Sequence, residues 1–187
     1  MNVWLASQSP RRADMLQSLF PNIKCEGFSD VDETPGPGSV DAQVLSICQK
    51  KSEAVSDGHG FDLVIVCDTL LADPDDMDSV LGKPSDTVEA AVMLHRLSGR
   101  RHQVWSATGI LLQGHWRFFV EHAIVEIDTL TDEQLVELVL NDSWKGKAGG
   151  YDLAGPMGEY ARLVDGHEST VLGIAGEAME LLKTFSF

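Results

Sequence analysis

The sequence predicts an α/β fold built on a mixed sheet. Short apolar runs typical of buried strands alternate with amphipathic segments of helical period, and two longer strand-like segments form an antiparallel hairpin. The 187 residues correspond to about one domain of ordinary size. Because neither an internal repeat nor a linker divides the chain, we expect residues 1–187 to form a single domain.

The first half of the chain alternates strands and helices. Residues 3–6 predict a buried strand, and Ser9 followed by Pro10 is typical of a helix start. That helix is expected to reach about residue 19, and the segment 20–39 reads as an acidic loop. Four further expectations follow along the chain: a helix at 41–55, a buried strand at 63–67, an acidic turn at 73–78 and a capped helix at 90–97.

The second half contains the hairpin and a glycine-rich segment. Its strands are predicted at 103–112 and 117–128, and Thr131 with Gln134 predicts the cap of a helix that ends near residue 140. Residues 144–151 are rich in glycine and lysine. The last expected elements are strands at 160–164 and 170–172 and a helix at 177–184.

The charge balance restricts the possible partners. Fourteen basic residues stand against 29 acidic ones, giving a formal net charge of −15, which repels nucleic acid and anionic membranes. The three cysteines lack the spacing of a disulfide scaffold or a structural zinc site. We find no pattern of a signal peptide or of a membrane span, so a cytoplasmic protein is expected. An anionic ligand would require the few cations to be gathered in one place.

The start of the first helix is the first candidate site. Ser7 and Ser9 precede Arg11 and Arg12, which lie in the first turn, where a helix favours negative charge. A bound anion would remove that conflict, because backbone N–H groups and guanidinium groups could all face it. The alternative is that both arginines extend into water or pair with acidic residues at 30–33.

Two acidic positions are candidates for metal binding or proton transfer. Asp68 and Thr69 follow the apolar run at 63–67, and ligands of α/β proteins bind beyond the carboxyl ends of strands. A carboxylate there could hold Mg²⁺ or accept a proton from water, although an aspartate that caps a helix or lies in a turn is equally compatible. Glu33 lies among other carboxylates and could bind a cation or belong to an acidic surface loop.

Three lysines are candidate phosphate ligands. Lys83 lies between Gly82 and Pro84, Lys51 lies near the end of a predicted helix, and Lys147 lies in the glycine-rich segment, where backbone N–H groups could surround an anion. A simple turn, a solvated helix face and a flexible connection are the respective alternatives. The segment is not a P-loop, because Lys147 is followed by alanine.

Taken together, these motifs resemble the Maf-type nucleoside-triphosphate pyrophosphatases. The similarity covers nearly the whole chain, and the motifs follow one another in the same order as in the family. Residues 5–12 resemble its Leu-Ala-Ser-x-Ser-Pro-Arg-Arg signature, and residues 147–151 resemble its late glycine motif. The other matching positions are Asp32-Glu33, Lys51, Asp68-Thr69, Gly82-Lys83-Pro84, Ser98-Gly99, His102, Ser169, Val171 and Gly173.

The resemblance implies a two-lobed fold of the inosine-triphosphatase type, shared by Maf and Ham1 proteins, with a central cleft. It also implies that a divalent metal (Mg²⁺, with Mn²⁺ and Co²⁺ as alternatives) assists hydrolysis of a nucleoside triphosphate to monophosphate and pyrophosphate. Asp68 matches the family's proton acceptor, and Arg11 and Thr69 match positions linked to base choice in the branch that prefers dTTP and UTP. Ala154 stands where that branch has glutamine, and alanine cannot make paired amide contacts with a base.

The resulting hypothesis assigns catalysis to Asp68, Lys83, Lys51 and Glu33, with Glu33 and Asp68 also holding the metal. The predicted substrate-binding residues are Ser7, Ser9, Arg11, Arg12, Thr69, Lys147 and Ala154. One alternative is a non-catalytic nucleotide-binding regulator of cell division or growth arrest. Another is a phosphomonoesterase with Asp68 as nucleophile, although Leu70 stands where such enzymes carry a second aspartate. The resemblance also makes a homodimer possible.

Overall fold

A computed structural model describes residues 1–185 of the chain, which contain seven strands and six α-helices. The strands are β1 (Val3–Leu5), β2 (Lys24–Cys25), β3 (Leu63–Asp73), β4 (Asp76–Leu81), β5 (Arg101–Leu112), β6 (His115–Ile127) and β7 (Ala161–Asp165). The helices are α1 (Pro10–Gln17), α2 (Val40–Glu53), α3 (Thr87–Leu97), α4 (Asp132–Leu140), α5 (Glu168–Leu172) and α6 (Gly176–Lys183). The predicted domain range of 1–187 extends two residues past this description.

All seven strands form one sheet in the order β2-β1-β3-β5-β6-β7, with β4 paired to the far end of β3. Strand β1 runs parallel to β2 and β3, whereas the β3–β4, β3–β5, β5–β6 and β6–β7 pairs are antiparallel. The predicted mixed α/β sheet is therefore confirmed. The predicted hairpin is also present, as the long β5–β6 pair.

Alternation along β3 gives the sheet two buried faces. The odd-numbered side chains Ile65 and Cys67 belong to the cluster that includes residues of α1 and α6. The even-numbered side chains Val66 and Leu70 pack against the inner face of α2. Because successive strand residues point to opposite faces, Asp68 is directed to the α2 side and Thr69 to the opposite side.

One edge of β3 has a gap in its pairing. Strand β1 pairs with residues 63–65 and β4 with residues 71–73, so residues 66–70 have no neighbouring strand on that edge within the described part of the chain. The other edge is paired to β5 without interruption from Leu63 to Leu71. The gap leaves the Cys67 carbonyl available to side chains rather than to a strand. It accepts hydrogen bonds from Lys51 at 3.2 Å and from Arg12 at 3.3 Å.

Two sequence-based expectations in this region are wrong in their extent. The strand predicted at 63–67 continues to Asp73, because pairing with β5 extends past it, so Asp68 lies within a strand rather than at its end. The strand end that lies next to Asp68 is that of β1. Strand β1 stops at Leu5, opposite Ile65, so the edge of β3 at Asp68 has no neighbouring strand. The acidic turn predicted at 73–78 is present but shorter, because only residues 74–75 turn and residues 76–78 already belong to β4, a strand that was not predicted.

The strand predicted at 170–172 is also wrong, because these residues form the end of α5. Gly173 then adopts a left-handed conformation with φ of 112°, and its N–H and that of Ile174 bond to the Ser169 carbonyl. This helix C-cap outweighs the β-propensity of Thr170 and Val171. No helix among residues 1–185 is both long and apolar enough to span a bilayer.

Candidate active site

A cleft of about 750 Å³ lies along the gap in β3. Its walls come from the β1–α1 connection, the loop before α2, α2 itself, β3, the end of β4 and the glycine-rich segment. Ten of the predicted residues line it: Ser7, Ser9, Arg11, Arg12, Glu33, Lys51, Asp68, Thr69, Lys83 and Lys147. The structure does not bring Ala154 to this cleft; Ala154 is exposed, and its N–H bonds to the Asp152 carboxylate.

Lys51, Asp68 and Glu33 form the deeper of two charged groups in the cleft, which we call the inner cluster. The Lys51 Nζ lies 2.8 Å from Asp68 Oδ1 and 3.0 Å from Glu33 Oε1. Helix α2 presents Lys51 from its last turn, where a cation is favoured by the helix dipole. Lys83 approaches Glu33 at 4.0 Å from the mouth of the cleft. Lys51 therefore joins both carboxylates that the sequence predicts as metal ligands.

Burial controls the protonation of Asp68. It raises the pKa of the Asp68 carboxyl group above its ordinary value, and the positive charges of Lys51 and Arg12 offset this only in part. The Oδ2 atom is buried and has no hydrogen-bond partner in the described structure. Burial also acts to raise the pKa of Glu33, but Lys51, Lys83 and Arg12 outweigh it, so that the pKa is lowered. Glu33 is thus charged in neutral solution.

Arg12 is held inside the protein by four hydrogen bonds. Its guanidinium group donates to the Gly173 carbonyl at 2.8 Å, to Thr69 Oγ1 at 2.9 Å and to Ser7 Oγ at 3.2 Å, besides the Cys67 carbonyl. A Cβ atom at position 173 would stand 2.7 Å from Arg12 Nε, so this docking requires glycine. Arg12 does not extend into water.

The start of α1 provides backbone donors at the cleft. Ser9 is the N-cap residue, but its side chain makes no capping bond, and no acidic residue lies in the first turn. Its own N–H donates to Ser7 Oγ at 3.2 Å. Because neither a side chain nor an acid satisfies this helix terminus, its positive end remains available to an anion.

Arg11, Asp152 and Lys147 form the second charged group, the outer cluster. Asp152 Oδ1 lies 3.4 Å from Arg11 Nη1, and Asp152 Oδ2 lies 3.5 Å from Lys147 Nζ. Lys147 also donates to the Ser143 carbonyl at 2.6 Å. Asp152 was not predicted from the sequence, although it joins two of the cations predicted to bind substrate.

A buried pair supports the outer cluster from behind. His102 Nε2 lies 2.7 Å from the Tyr151 hydroxyl, and burial lowers the pKa of His102 to about 4. Tyr151 lines the cleft and immediately precedes Asp152. Both residues of this pair belong to the motifs that resemble the Maf family, but no role was predicted for either.

The inner cluster can accommodate a divalent cation together with a substrate. Within residues 1–185 no group of three or more candidate ligands forms a complete metal cage. Asp68 Oδ2 lacks a partner, however, and Glu33 is partly exposed beside it. Two carboxylates, with phosphate oxygens supplying further ligands, match the preference of Mg²⁺. The residues present therefore fit such an ion.

The cleft collects positive charge on an acidic protein. Six of its lining residues are cationic, namely Arg11, Arg12, Lys51, Lys83, Lys145 and Lys147, against the three carboxylates of Glu33, Asp68 and Asp152. The whole chain has only 14 lysines and arginines and a net charge of −15. A local excess of cations at contact distance can attract a polyanion despite the overall charge, because salt screens distant charges.

Comparisons with known proteins agree with this geometry. A family model described as Maf-like protein matches residues 2–185. A protein named dTTP/UTP pyrophosphatase from Ruegeria sp. is 33% identical, with 98% of this chain and 94% of the relative covered. Proteins of the same name from Pyrococcus abyssi (32% identical; 96% and 94% covered) and Myxococcus xanthus (35% identical; 96% and 90% covered) are also similar.

The fold has a relative among solved structures. A HAM1 protein from Coxiella burnetii superposes with a TM-score of 0.53 at 18% identity, with 98% of this chain and 97% of that protein covered. The similarity extends over nearly the full length of both chains and confirms the predicted fold type.

Proposed function

This chain belongs to the Maf family, and on that premise we propose that it hydrolyses a nucleoside triphosphate to the monophosphate and pyrophosphate. The observation that carries the proposal is the cleft itself, where six cations and three carboxylates converge on an otherwise acidic protein. Relatives about one-third identical over nearly the whole chain are named dTTP/UTP pyrophosphatases. An enzyme of this class is a hydrolase that acts on a phosphoric anhydride bond.

Lys51, Lys83 and the start of α1 are the proposed phosphate-binding elements. Lys83 is largely exposed at the mouth of the cleft, where it can meet an incoming triphosphate. Arg12 was predicted to bind the substrate directly, but four internal hydrogen bonds already engage its guanidinium group. Its role in this arrangement is therefore different. Its positive charge still favours an anion in the cleft, whereas its direct contacts serve to position Ser7 and Thr69.

Asp68 is the proposed acceptor of a proton from the attacking water. Its raised pKa makes it a stronger base than an ordinary aspartate, and the bond to Lys51 fixes Oδ1 while Oδ2 remains without a partner. Water attacks the α-phosphorus, the bond to the bridging oxygen breaks, and pyrophosphate leaves. The cationic side chains offset the charge that develops on the leaving group.

We further propose that Glu33 and Asp68 hold a divalent cation, with Mg²⁺ favoured and Mn²⁺ or Co²⁺ possible. When bound, the ion would neutralise phosphate charge and orient the triphosphate. Lys51 would then keep the two carboxylates in place through its bonds to both.

The names of the relatives make dTTP and UTP the first substrates to test, followed by modified nucleotides. Because Ala154 lies outside the cleft, the base contact expected from the family glutamine has no counterpart at that position. We also propose a cytoplasmic homodimer. The acidic composition supports the proposal that it binds neither nucleic acid nor membranes.

A substrate panel tests the proposal. The eight common ribo- and deoxyribonucleoside triphosphates are incubated with the protein and Mg²⁺, Mn²⁺ or Co²⁺, and pyrophosphate and orthophosphate are measured separately. We expect pyrophosphate and the monophosphate in equal amounts. Release of orthophosphate alone would instead indicate a phosphomonoesterase, and nucleotide binding without any product would indicate a regulator.

A further inference from the structure

Thr69 and Ser106 are directly opposite each other on the antiparallel strands β3 and β5. Their hydroxyl groups lie 2.8 Å apart on the face of the sheet opposite to Asp68. Thr69 lines the cleft, whereas Ser106 is completely buried behind it. The pair therefore connects the cleft wall to the protein interior.

The partners of Ser106 determine which hydroxyl donates. Ser106 Oγ lies 2.7 Å from the Thr170 carbonyl oxygen, which can only accept, so the single Ser106 proton is used there. The hydrogen bond between the two hydroxyls must then be donated by Thr69. Thr69 Oγ1 also accepts a hydrogen bond from Arg12 Nη2 at 2.9 Å.

This arrangement leaves Thr69 with one free lone pair and no available proton. Its hydroxyl can thus only accept a hydrogen bond from a ligand in the cleft. Phosphate oxygens of an ionised triphosphate carry no proton, so they cannot satisfy Thr69. The matching ligand group is an N–H or O–H donor, which in a nucleotide belongs to the base or the sugar.

We propose that Ser106 is a positioning residue that sets nucleoside selectivity by keeping the Thr69 hydroxyl acceptor-only. The proposal rests on the proposed function, since it takes the occupant of the cleft to be a nucleotide. Uracil and thymine have an N–H at ring position 3, whereas cytosine has an unprotonated acceptor there. Thr69 accordingly favours uracil and thymine over cytosine. A ribose hydroxyl is the other group of a nucleotide that could donate a hydrogen bond to Thr69.

The test compares Ser106→Ala with Thr108→Val. In Ser106→Ala the Thr69 proton is released, so Thr69 can either donate or accept. The Thr170 carbonyl keeps a contact from the Gly173 N–H at 3.3 Å, which limits the structural damage. Thr108 is the matched control, because it is equally buried two residues along β5, on the same face, and bonds to the Ala175 N–H rather than to Thr69.

Affinities for UMP, CMP and dUMP are measured by titration calorimetry, so the readout does not require turnover. We expect the unmodified protein and Thr108→Val to bind UMP more tightly than CMP, and Ser106→Ala to narrow that difference by about tenfold, the value of one discriminating hydrogen bond. Narrowing of the UMP–dUMP difference instead would identify the ribose hydroxyl as the donor, which also supports the acceptor-only role. If Ser106 has a purely structural role, Ser106→Ala would weaken the binding of all three nucleotides by the same factor.

The inference is wrong if the UMP/CMP and UMP/dUMP affinity ratios of a folded Ser106→Ala variant both differ by less than about twofold from those of the unmodified protein. That result would not bear on the proposed pyrophosphatase activity. Failure of the proposed function is seen separately, as absence of pyrophosphate release by the unmodified protein. If Ser106→Ala does not fold, Thr69→Val supplies the answer, because it removes the acceptor. It is expected to abolish the UMP–CMP difference or, where the ribose hydroxyl is the donor, the UMP–dUMP difference. If both differences are undiminished in that variant, the inference is rejected.

Discussion

The inner and outer clusters place carboxylates against cations in the same cleft, but they differ in burial and distance. In the inner cluster the side chains of Lys51 and Asp68 are 7% and 9% exposed and lie 2.8 Å apart. In the outer cluster Arg11 and Asp152 are 25% and 15% exposed and lie 3.4 Å apart. A tight, buried ion pair fixes a reactive group in place, whereas a looser pair near solvent can exchange its partner for a ligand. We therefore assign chemistry to the inner cluster and reversible ligand binding to the outer one.

The largest expected effect is on the rate of turnover, which should depend on Asp68 in the inner cluster but not on Asp152 in the outer cluster. Asp68→Asn removes the proton acceptor but keeps the shape of the side chain, and we expect the rate of pyrophosphate release to fall about 10³-fold. Asp152→Asn should change kcat less than about threefold, because a long ion pair in the outer cluster takes no part in proton transfer. Steady-state kinetics with Mg²⁺ measure both, and near-native turnover by Asp68→Asn would contradict the assignment.

The next effect concerns stability. Lys51→Met leaves the buried Asp68 without its partner, so the free energy of unfolding should fall by about 3–5 kcal/mol in urea titrations at neutral pH. Part of the loss should be recovered near pH 5, because Asp68 can then be protonated. Asp152→Asn should cost less than about 1 kcal/mol. Equal losses in the two variants would remove the distinction between the clusters.

His102, which lies with Tyr151 behind the outer cluster, is expected to make the free energy of unfolding depend on pH. His102 has an ordinary pKa near 6.5, which burial lowers to about 4, so it stays neutral in the folded protein while the unfolded chain takes up a proton. The free energy of unfolding should therefore be fully retained above pH 6.5 and fall on acidification towards pH 4, by about 3 kcal/mol. His102→Gln should lose this dependence in urea titrations of the metal-free protein. An unchanged pH slope would show that His102 is not its source.

The smallest effect tests whether Asp152 competes with phosphate. Asp152→Asn releases Arg11 and Lys147, so KM for the triphosphate should fall about threefold to tenfold while kcat stays nearly constant. Glu180→Gln is the matched control, because it removes one negative charge on α6, away from the lining of the cleft. A higher KM in Asp152→Asn would mean that Asp152 assists binding rather than opposing it.

The sequence predicts the residues of the inner cluster better than their placement. Glu33, Lys51 and Asp68 were all identified as site residues, because charged side chains beside an apolar strand or inside a family motif are conspicuous. Their mutual contacts depend on the gap in β3, which no local pattern reveals: the run at 63–67 is apolar, but the strand continues through polar residues because β5 pairs with it.

In the outer cluster the cations Arg11 and Lys147 were predicted as substrate-binding residues, but their carboxylate partner Asp152 was not. Asp152 is 141 residues away from Arg11 along the chain, and an aspartate after a glycine-rich segment is typical of any surface loop. Ala154, chosen by alignment with the family motif, is exposed outside the cleft. The error at 170–172 has a similar origin, since the cap at Gly173 depends on a left-handed conformation that propensity alone does not predict.

The unpaired edge of β3 also bears on aggregation. A strand edge with free carbonyls invites a strand from another molecule to add to it, and most proteins cover or charge such edges. Here Lys51 from one face and Arg12 from the other bind the Cys67 carbonyl and leave cationic groups where an incoming strand would have to lie. The same two side chains that shape the cleft thereby protect the molecule against intermolecular β-pairing.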